Sequence, residues 1–338
     1  MHALDRYIQE AQNIGATDIH LVPGSSVMCR NANGEFDALS EQPLSSEDVG
    51  SILEPLLSIH DKAAIDEALQ QDGDVDVSYM AGQEGQPPVR CRVNIFREER
   101  GIAAAFRLLK KNIPTRQELR LPTITEHLIR KKNGLIIFTA PTGNGKTTSI
   151  AALLELINST MGKRIITIED PVEYRFEQKK SIISQREVGT NCSSFARGLR
   201  SALREDPDII LVGEMRDKDT ILTALSAAET GHLVFTTLHA PNVVEAIDRL
   251  TQYFDGSEQN TVRMQTANAL LAIIAQQLLP KKGGGKIAAF EVLTNSSAIS
   301  NLIRENRTFS IPSYMDKGKG MQHMEESISE LRLLGLLE

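Results

Sequence analysis

The run Ala140-Pro141-Thr142-Gly143-Asn144-Gly145-Lys146-Thr147-Thr148 carries the residue types that hold a phosphate group. Gly143 and Gly145 let the backbone bend so that successive N–H groups face one anion, and a helix starting there adds its dipole. Lys146 supplies a mobile charge for β/γ-phosphates, and Thr147 offers a hydroxyl to Mg²⁺. Context supports the motif: Leu135-Ile136-Ile137-Phe138 reads as a buried strand before it, and a helical pattern from Thr148 to Met161 follows. Thr142, Gly143, Asn144, Gly145, Lys146, Thr147 and Thr148 are therefore the candidate nucleotide contacts, with ATP and Mg²⁺ as ligands. Ala140 stands where the usual pattern opens with Gly, and the cradle itself is intact.

Triphosphate hydrolysis also needs a metal site, a group that activates water, and a cation for transition-state charge. Such groups collect at the C-terminal ends of parallel strands. Ile209-Ile210-Leu211-Val212-Gly213-Glu214 is an apolar strand ending in an acid, which places Glu214 with Thr147 as a metal candidate, reached through water. Arg164 to Glu169 is another, followed by Asp170-Pro171-Val172-Glu173. The chemistry of the residues leaves the general base open between Glu173 and Glu214, and leaves Glu169 and Asp170 open as structural acids. His239 lies at the ligand-facing end of its strand, where it can sense a γ-phosphate, whereas His232 lies at the opposite end. Arg92, Arg97, Arg100 and Arg107 cluster on one hairpin, either as ordinary surface charge or as arginine fingers.

The elements that must position these groups fall into two grammars. Residues 1–111 mix helices and alternating strands, as a small α+β domain does. An amphipathic helix at Leu4 to Ile14 comes first, then strands at Asp18–Val22 and Val27–Arg30 with Asn33-Gly34 as a hairpin signal. Helices over Val49–Leu57 and Asp61–Gln70 precede strands at Asp74–Met80, Arg90–Phe96 and Gly101–Leu108. Residues 112–122, bracketed by Pro114 and Pro122, read as a linker. From 123 to 338 strands at Leu135–Thr139, Arg164–Glu169, Ile182–Gln185, Ile209–Gly213 and His232–Leu238 alternate with helices at Thr147–Met161, Ser194–Glu205, Asp217–Thr230 and Val243–Tyr253. That alternation implies an α/β fold with a mostly parallel sheet covered on both faces. Beyond Asp255 the pattern reads as mostly helical, from Ser257 to Leu279 and on to Leu337. Lys281 to Lys286 is a flexible turn, since no Ser or Thr follows its lysine.

Bulk properties narrow the class. The 338 residues carry 44 acidic against 37 basic side chains, net −7, which argues against the broad basic surface of a nucleic-acid binder. Cys29, Cys91 and Cys192 form no C-x-x-C pair, which fits a reducing cytosol. No apolar stretch reaches the roughly 20 residues of a membrane span, and the N-terminus lacks the form of a signal peptide.

Four segments then spell a family: 140–148, Thr-Ile-Glu-Asp-Pro-Val-Glu-Tyr at 167–174, Ser201 to Asp217, and Ala-Glu-Thr-Gly-His-Leu-Val-Phe-Thr-Thr-Leu-His at 228–239. In order they resemble the Walker A, Asp box, Walker B and His box of secretion-superfamily ATPases, and most of all the type IV pilus retraction (twitching motility) ATPases of the PilT type. Ala16 to Leu21, Arg92-Val93-Asn94, Gln185 to Val188 and Asn301 to Glu305 extend the resemblance over nearly the whole chain. It implies a PAS-like N-terminal domain, a RecA-like P-loop ATPase domain and a homohexameric ring. It also implies a Mg²⁺-dependent ATPase motor that works pilus disassembly through an inner-membrane platform protein, at the cytoplasmic face of the inner membrane and without nucleic acid. The resemblance assigns the base to Glu173, the metal and water network to Glu214, the γ-phosphate to His239, and reaching arginines to Arg92 and Arg107. Besides Ala140, two positions depart from the retraction pattern: Phe290 precedes Glu291 where His is usual, and Ser300 replaces an Arg. A specialised or accessory retraction motor, or the ATPase of a related type II or type IV secretion system, is the alternative. A nucleic-acid translocase is the more distant one.

Overall fold

The computed structural model describes residues 2–31, 34–83, 86–109 and 112–337, and Asn33 of the expected hairpin lies outside them. The chain forms two compact units, Met1–Asn112 and Ile113–Glu338.

The first unit contains α1 (Ala3–Asn13), β1 (Asp18–Leu21), β2 (Met28–Arg30), β3 (Phe36–Ala38), α2 (Ser46–Ser58), α3 (Lys62–Gln71), β4 (Asp74–Gln83), β5 (Gln86–Glu98) and β6 (Gly101–Leu108). Leu4, Ile8 and Ala11 make the buried stripe of α1. Ser45 and Asp48 close a capping box on α2, and the Asp61 side chain caps α3, so both starts satisfy backbone N–H groups that a helix leaves unpaired. The strands form an antiparallel sheet ordered β3-β2-β1-β6-β5-β4. Period-two alternation sends Ile19, Leu21, Val93, Ile95, Ala104 and Phe106 into the core with the three helices. The other face carries Asp18, Arg30, Arg92 and Arg107 in one transverse row.

The second unit contains α4 (Ile124–Leu128), β7 (Gly134–Thr139), α5 (Lys146–Thr160), β8 (Arg164–Glu169), β9 (Ile182–Glu187), α6 (Phe195–Ala202), β10 (Ile209–Val212), α7 (Lys218–Glu229), β11 (Leu233–Leu238) and α8 (Val243–Gln252). It continues with α9 (Ser257–Ala269), β12 (Leu270–Pro280), β13 (Lys286–Thr294), α10 (Ser297–Arg304) and α11 (Met324–Leu333). Residues 113–122 count with this unit, and Leu121 is buried in its core.

The sheet runs β13-β12-β7-β11-β10-β8-β9 and is parallel except for the β12–β13 pair. Alternate residues of each inner strand enter separate cores. Leu135, Ile137, Ile210 and Val234 face a layer with α6, α7, α8 and α9, while Ile136, Phe138, Leu211 and Phe235 face α4 and α5. Burial on both faces is why these strands read as unbroken apolar runs.

The expected mostly helical stretch from Ser257 to Leu337 needs correction. Helix ends at Ala269, Leu270–Pro280 is a strand paired with both β7 and β13, and β13 itself, Lys286–Thr294, is a strand within the stretch read as helical. A strand buried on two faces loses its period-two signature, so Leu270 to Ala275 carried no periodicity to separate strand from helix. Lys281 to Lys286 is the turn of that hairpin, with Gly283, Gly284 and Gly285 all at positive φ.

Candidate nucleotide site

The expected chemical groups sit at or just beyond the C-terminal ends of β7, β8, β10 and β11. Gly143 and Gly145 adopt φ of +80° and +79°, the left-handed region glycine enters at no steric cost. Gly145 also caps α5, so the helix dipole starts inside the loop. Lys146 is buried, and its Nζ donates to Ala140 O at 2.7 Å and Pro141 O at 3.4 Å. Burial pushes its pKa down to about 8, against the opposing pull of the Glu214 and Glu173 carboxylates.

From Lys146 the contacts run on to the His and acid groups. His239 Nδ1 lies 3.4 Å from Lys146 Nζ and 3.4 Å from Thr142 Oγ1, while Nε2 lies 3.5 Å from Glu214 Oε2. Burial, then the Lys146 charge, lowers the His239 pKa, which favours a neutral ring. An ammonium has no lone pair, so Nδ1 is the acceptor toward Lys146 and the ring proton belongs on Nε2, facing Glu214. Arg249 donates to His239 O at 2.8 Å and anchors the segment. Glu214 is buried; Arg216 pairs with its Oε1 at 2.5 Å, and its buried Oε2 has the 3.5 Å His239 contact but no well-formed hydrogen bond among the described residues. Gly213 before it is closely packed: a Cβ would lie 3.2 Å from Ile168 O, tighter than ordinary contact, and 3.4 Å from Glu169 Cα.

Glu173 is exposed, and its charge acts on both Lys146 and Glu169. Strand β9 holds the segment around it. Glu187 accepts the Val172 N–H at 3.0 Å, and Gln185 donates to Tyr174 O at 2.7 Å and accepts the Phe176 N–H at 3.1 Å. Glu169 is buried and accepts from Thr167 Oγ1 at 2.6 Å, from Gln185 Nε2 at 3.2 Å and from the Glu173 backbone N–H. Burial dominates those bonds and raises its pKa to about 7. Thr148 Oγ1 meets Tyr174 OH at 2.9 Å, tying α5 to this segment.

Thr147 lies in the first turn of α5, half-buried. Asn144 spends its side chain on the loop, with Nδ2 donating to Pro141 O at 3.2 Å and Oδ1 accepting the Leu278 N–H at 2.9 Å. His232 Nδ1 contacts Ala227 O at 3.0 Å, at the far end of β11. In the first unit Arg92 and Arg107 are direct cross-strand partners; Arg92 pairs with Asp76 at 2.8 Å and Arg107 with Asp18 at 3.0 Å. A cavity of about 440 Å³ opens beside Lys131, Asn133, Ala228 and Leu271, at the opposite end of β7 from the loop, and shares no residue with this site. Arg216 and Gln276 are the contacts that sequence reasoning passed over. A signal existed for Gln276, a polar residue inside an otherwise apolar run, because a buried amide needs partners.

A glycine loop with a buried lysine, closing a strand and opening a helix on a mostly parallel sheet, defines a P-loop α/β core of the RecA-like class. The chain belongs to the type II/IV secretion system protein family, whose family model matches residues 1–322. It is 39% identical over 325 residues to the type IV pilus retraction ATPase PilT of Pseudomonas aeruginosa, covering 96% of this chain and 92% of that one. It is 41% identical over 308 residues to a twitching motility protein of Neisseria gonorrhoeae, covering 90% and 80%. A crystal structure of the pilus retraction motor PilT with bound ADP superposes with a TM-score of 0.88 at 43% identity, over 100% of this chain and 95% of the other.

Proposed function

We propose that this chain is a Mg²⁺-dependent ATPase motor that powers type IV pilus retraction. The observation that carries the reading is the contact chain Lys146–His239–Glu214, with spacings of 3.4 and 3.5 Å, at the strand ends where a P-loop presents its phosphates. The left-handed glycines, the buried lysine and the weakly partnered oxygen of Glu214 fit a nucleotide triphosphate with its divalent ion. Thr142 to Thr148 cradle the phosphates, and Thr147 with Glu214 would hold Mg²⁺, which neutralises charge between the β- and γ-phosphates. Glu173 takes the proton of the attacking water. His239, neutral and bearing its proton on Nε2, reads the γ-phosphate and passes its state to Glu214. Arg92 and Arg107 supply the further positive charge that the transition state needs.

In this reading residues 1–111 are a PAS-like domain, 112–122 a linker and 123–338 the RecA-like motor domain. The assembly is a homohexamer on the cytoplasmic face of the inner membrane, acting on the pilus platform protein. No helix among the described residues is long and apolar enough to cross a membrane.

Purified protein with Mg²⁺ and ATP tests the site: Lys146→Ala and Glu173→Gln should each stay folded and lose at least about a hundredfold in kcat. Unchanged turnover in both would overturn the assignment. One observation favours a specialised or accessory motor over a principal one. Ser300, where the retraction pattern has arginine, is 8% exposed and spends its hydroxyl inside the fold, 2.9 Å from Ala267 O and 3.0 Å from Asn295 Oδ1. Twitching assays on a deletion strain separate the two, since loss of a principal motor abolishes movement.

A further inference from the structure

Gln276 is a polar side chain on a strand otherwise built to be buried. It is 3% exposed and follows Ile273, Ile274 and Ala275, all fully buried. Its amide spans the phosphate loop: Nε2 donates to Asn144 O at 2.6 Å, and Oε1 accepts from Ser149 Oγ at 2.7 Å. Between those two anchors sits Gly145, where a Cβ would come within 2.9 Å of Gln276 Nε2. Two residues along the same strand, the Leu278 N–H donates to Asn144 Oδ1 at 2.9 Å.

The consequence follows from peptide geometry. In a trans peptide the C=O and the next N–H point in opposite directions. Holding the Asn144 carbonyl toward β12 therefore turns the Gly145 N–H away from it, onto the side where a phosphate is received. We propose that Gln276 is a positioning residue of the nucleotide site, fixing the loop in its anion-accepting shape from the neighbouring strand. The proposal rests on the reading of this loop as a nucleotide cradle. The same hairpin reaches the other half of the site. Glu291, opposite Ala275 in the β12–β13 pairing, accepts the Val243 N–H at 3.0 Å, at the start of the helix that follows His239.

The test is a double-substitution cycle read as MgADP affinity, ATPase kinetics and the thermal midpoint without nucleotide. Gln276→Met keeps the volume and removes both bonds; Ser149→Ala removes one partner. Gln276→Met should weaken MgADP binding about tenfold and raise KM similarly, with kcat changed less than about threefold. Ser149→Ala should weaken binding less, and the double variant no further than Gln276→Met alone. Affinity within about twofold of wild type in Gln276→Met, whatever its thermal midpoint, would overturn the proposal, as would additive losses. Should Gln276→Met not fold, Ser149→Ala decides by the same affinity criterion. Wild type that binds MgADP but turns over no ATP would overturn the hydrolase reading alone and leave the Gln276 result standing.

Discussion

Glu169 offers a measurement in which sign and size both follow from the structure. Its carboxyl is enclosed, and burial outweighs the bonds from Thr167 and Gln185, raising its pKa from 4.5 to about 7. The folded chain therefore keeps a proton on Glu169 through a window in which the unfolded chain has lost it. The group's favourable contribution is complete below about pH 4.5 and disappears as pH rises through about 7. At about 1.4 kcal/mol per pH unit the full swing is on the order of 3 kcal/mol. Glu169→Gln imitates the protonated form, since its Oε1 still accepts from Thr167 and Gln185 while an N–H replaces the O–H. The substitution should remove this part of the pH dependence and leave the rest. For a unit of this size, roughly 2–4 °C per kcal/mol turns the swing into a gap of about 6–12 °C opening in the variant's favour between pH 4.5 and 8. Thermal melts of both proteins across that range measure it. A gap that stays constant with pH would refute the argument, because it would mean that Glu169 ionises alike in folded and unfolded chains.

Three further outcomes are expected. On the proposed function nucleotide binding uses the Lys146 charge, and burial lowers its pKa to about 8, so MgADP affinity should be flat below that pH and fall above it as binding begins to take up a proton; titration calorimetry in buffers of different ionisation enthalpy reads that uptake directly. Gly145→Ala meets both a φ of +79° and the nearby Gln276 amide, and should weaken MgADP binding by more than about tenfold while the far core stays folded. Glu291→Ala removes the acceptor for the Val243 N–H and should cost about 1 kcal/mol, seen as a thermal midpoint lower by roughly 2–4 °C.

What could be read from the residues was set by how local each signal is. The strand, glycine loop and helix from Gly134 to Thr160 are consecutive, so their order alone marked them, with bounds within a residue or so of those observed. Glu214 and His239 were visible because each closes an apolar run at its C-terminal end. The hairpin carrying Arg92 and Arg107 was visible too, but their direct opposition, and the Asp76 and Asp18 that each one meets, depend on register. Strand β12 stayed hidden because its two buried faces erased the alternation that identifies a strand. With it went Gln276, which looked like a mere break in an apolar run until its neighbours across the sheet were known. Arg216 and the Gln185 bracing of the Tyr174 segment were likewise matters of long-range pairing.

The bond partners that brace the phosphate loop arrive late in synthesis. Asn144 and Ser149 close onto Gln276 and Leu278 across separations of 127 to 134 residues. A nascent chain that has left the ribosome only as far as Leu238 already displays the loop, both acidic segments and nearly all of the histidine motif. It still lacks the strand against which the loop is shaped. On the proposed function, the shape that receives nucleotide therefore waits until β12 has been made, and a product terminated before Gln276 would carry the loop and acidic motifs without the bonds that hold the loop.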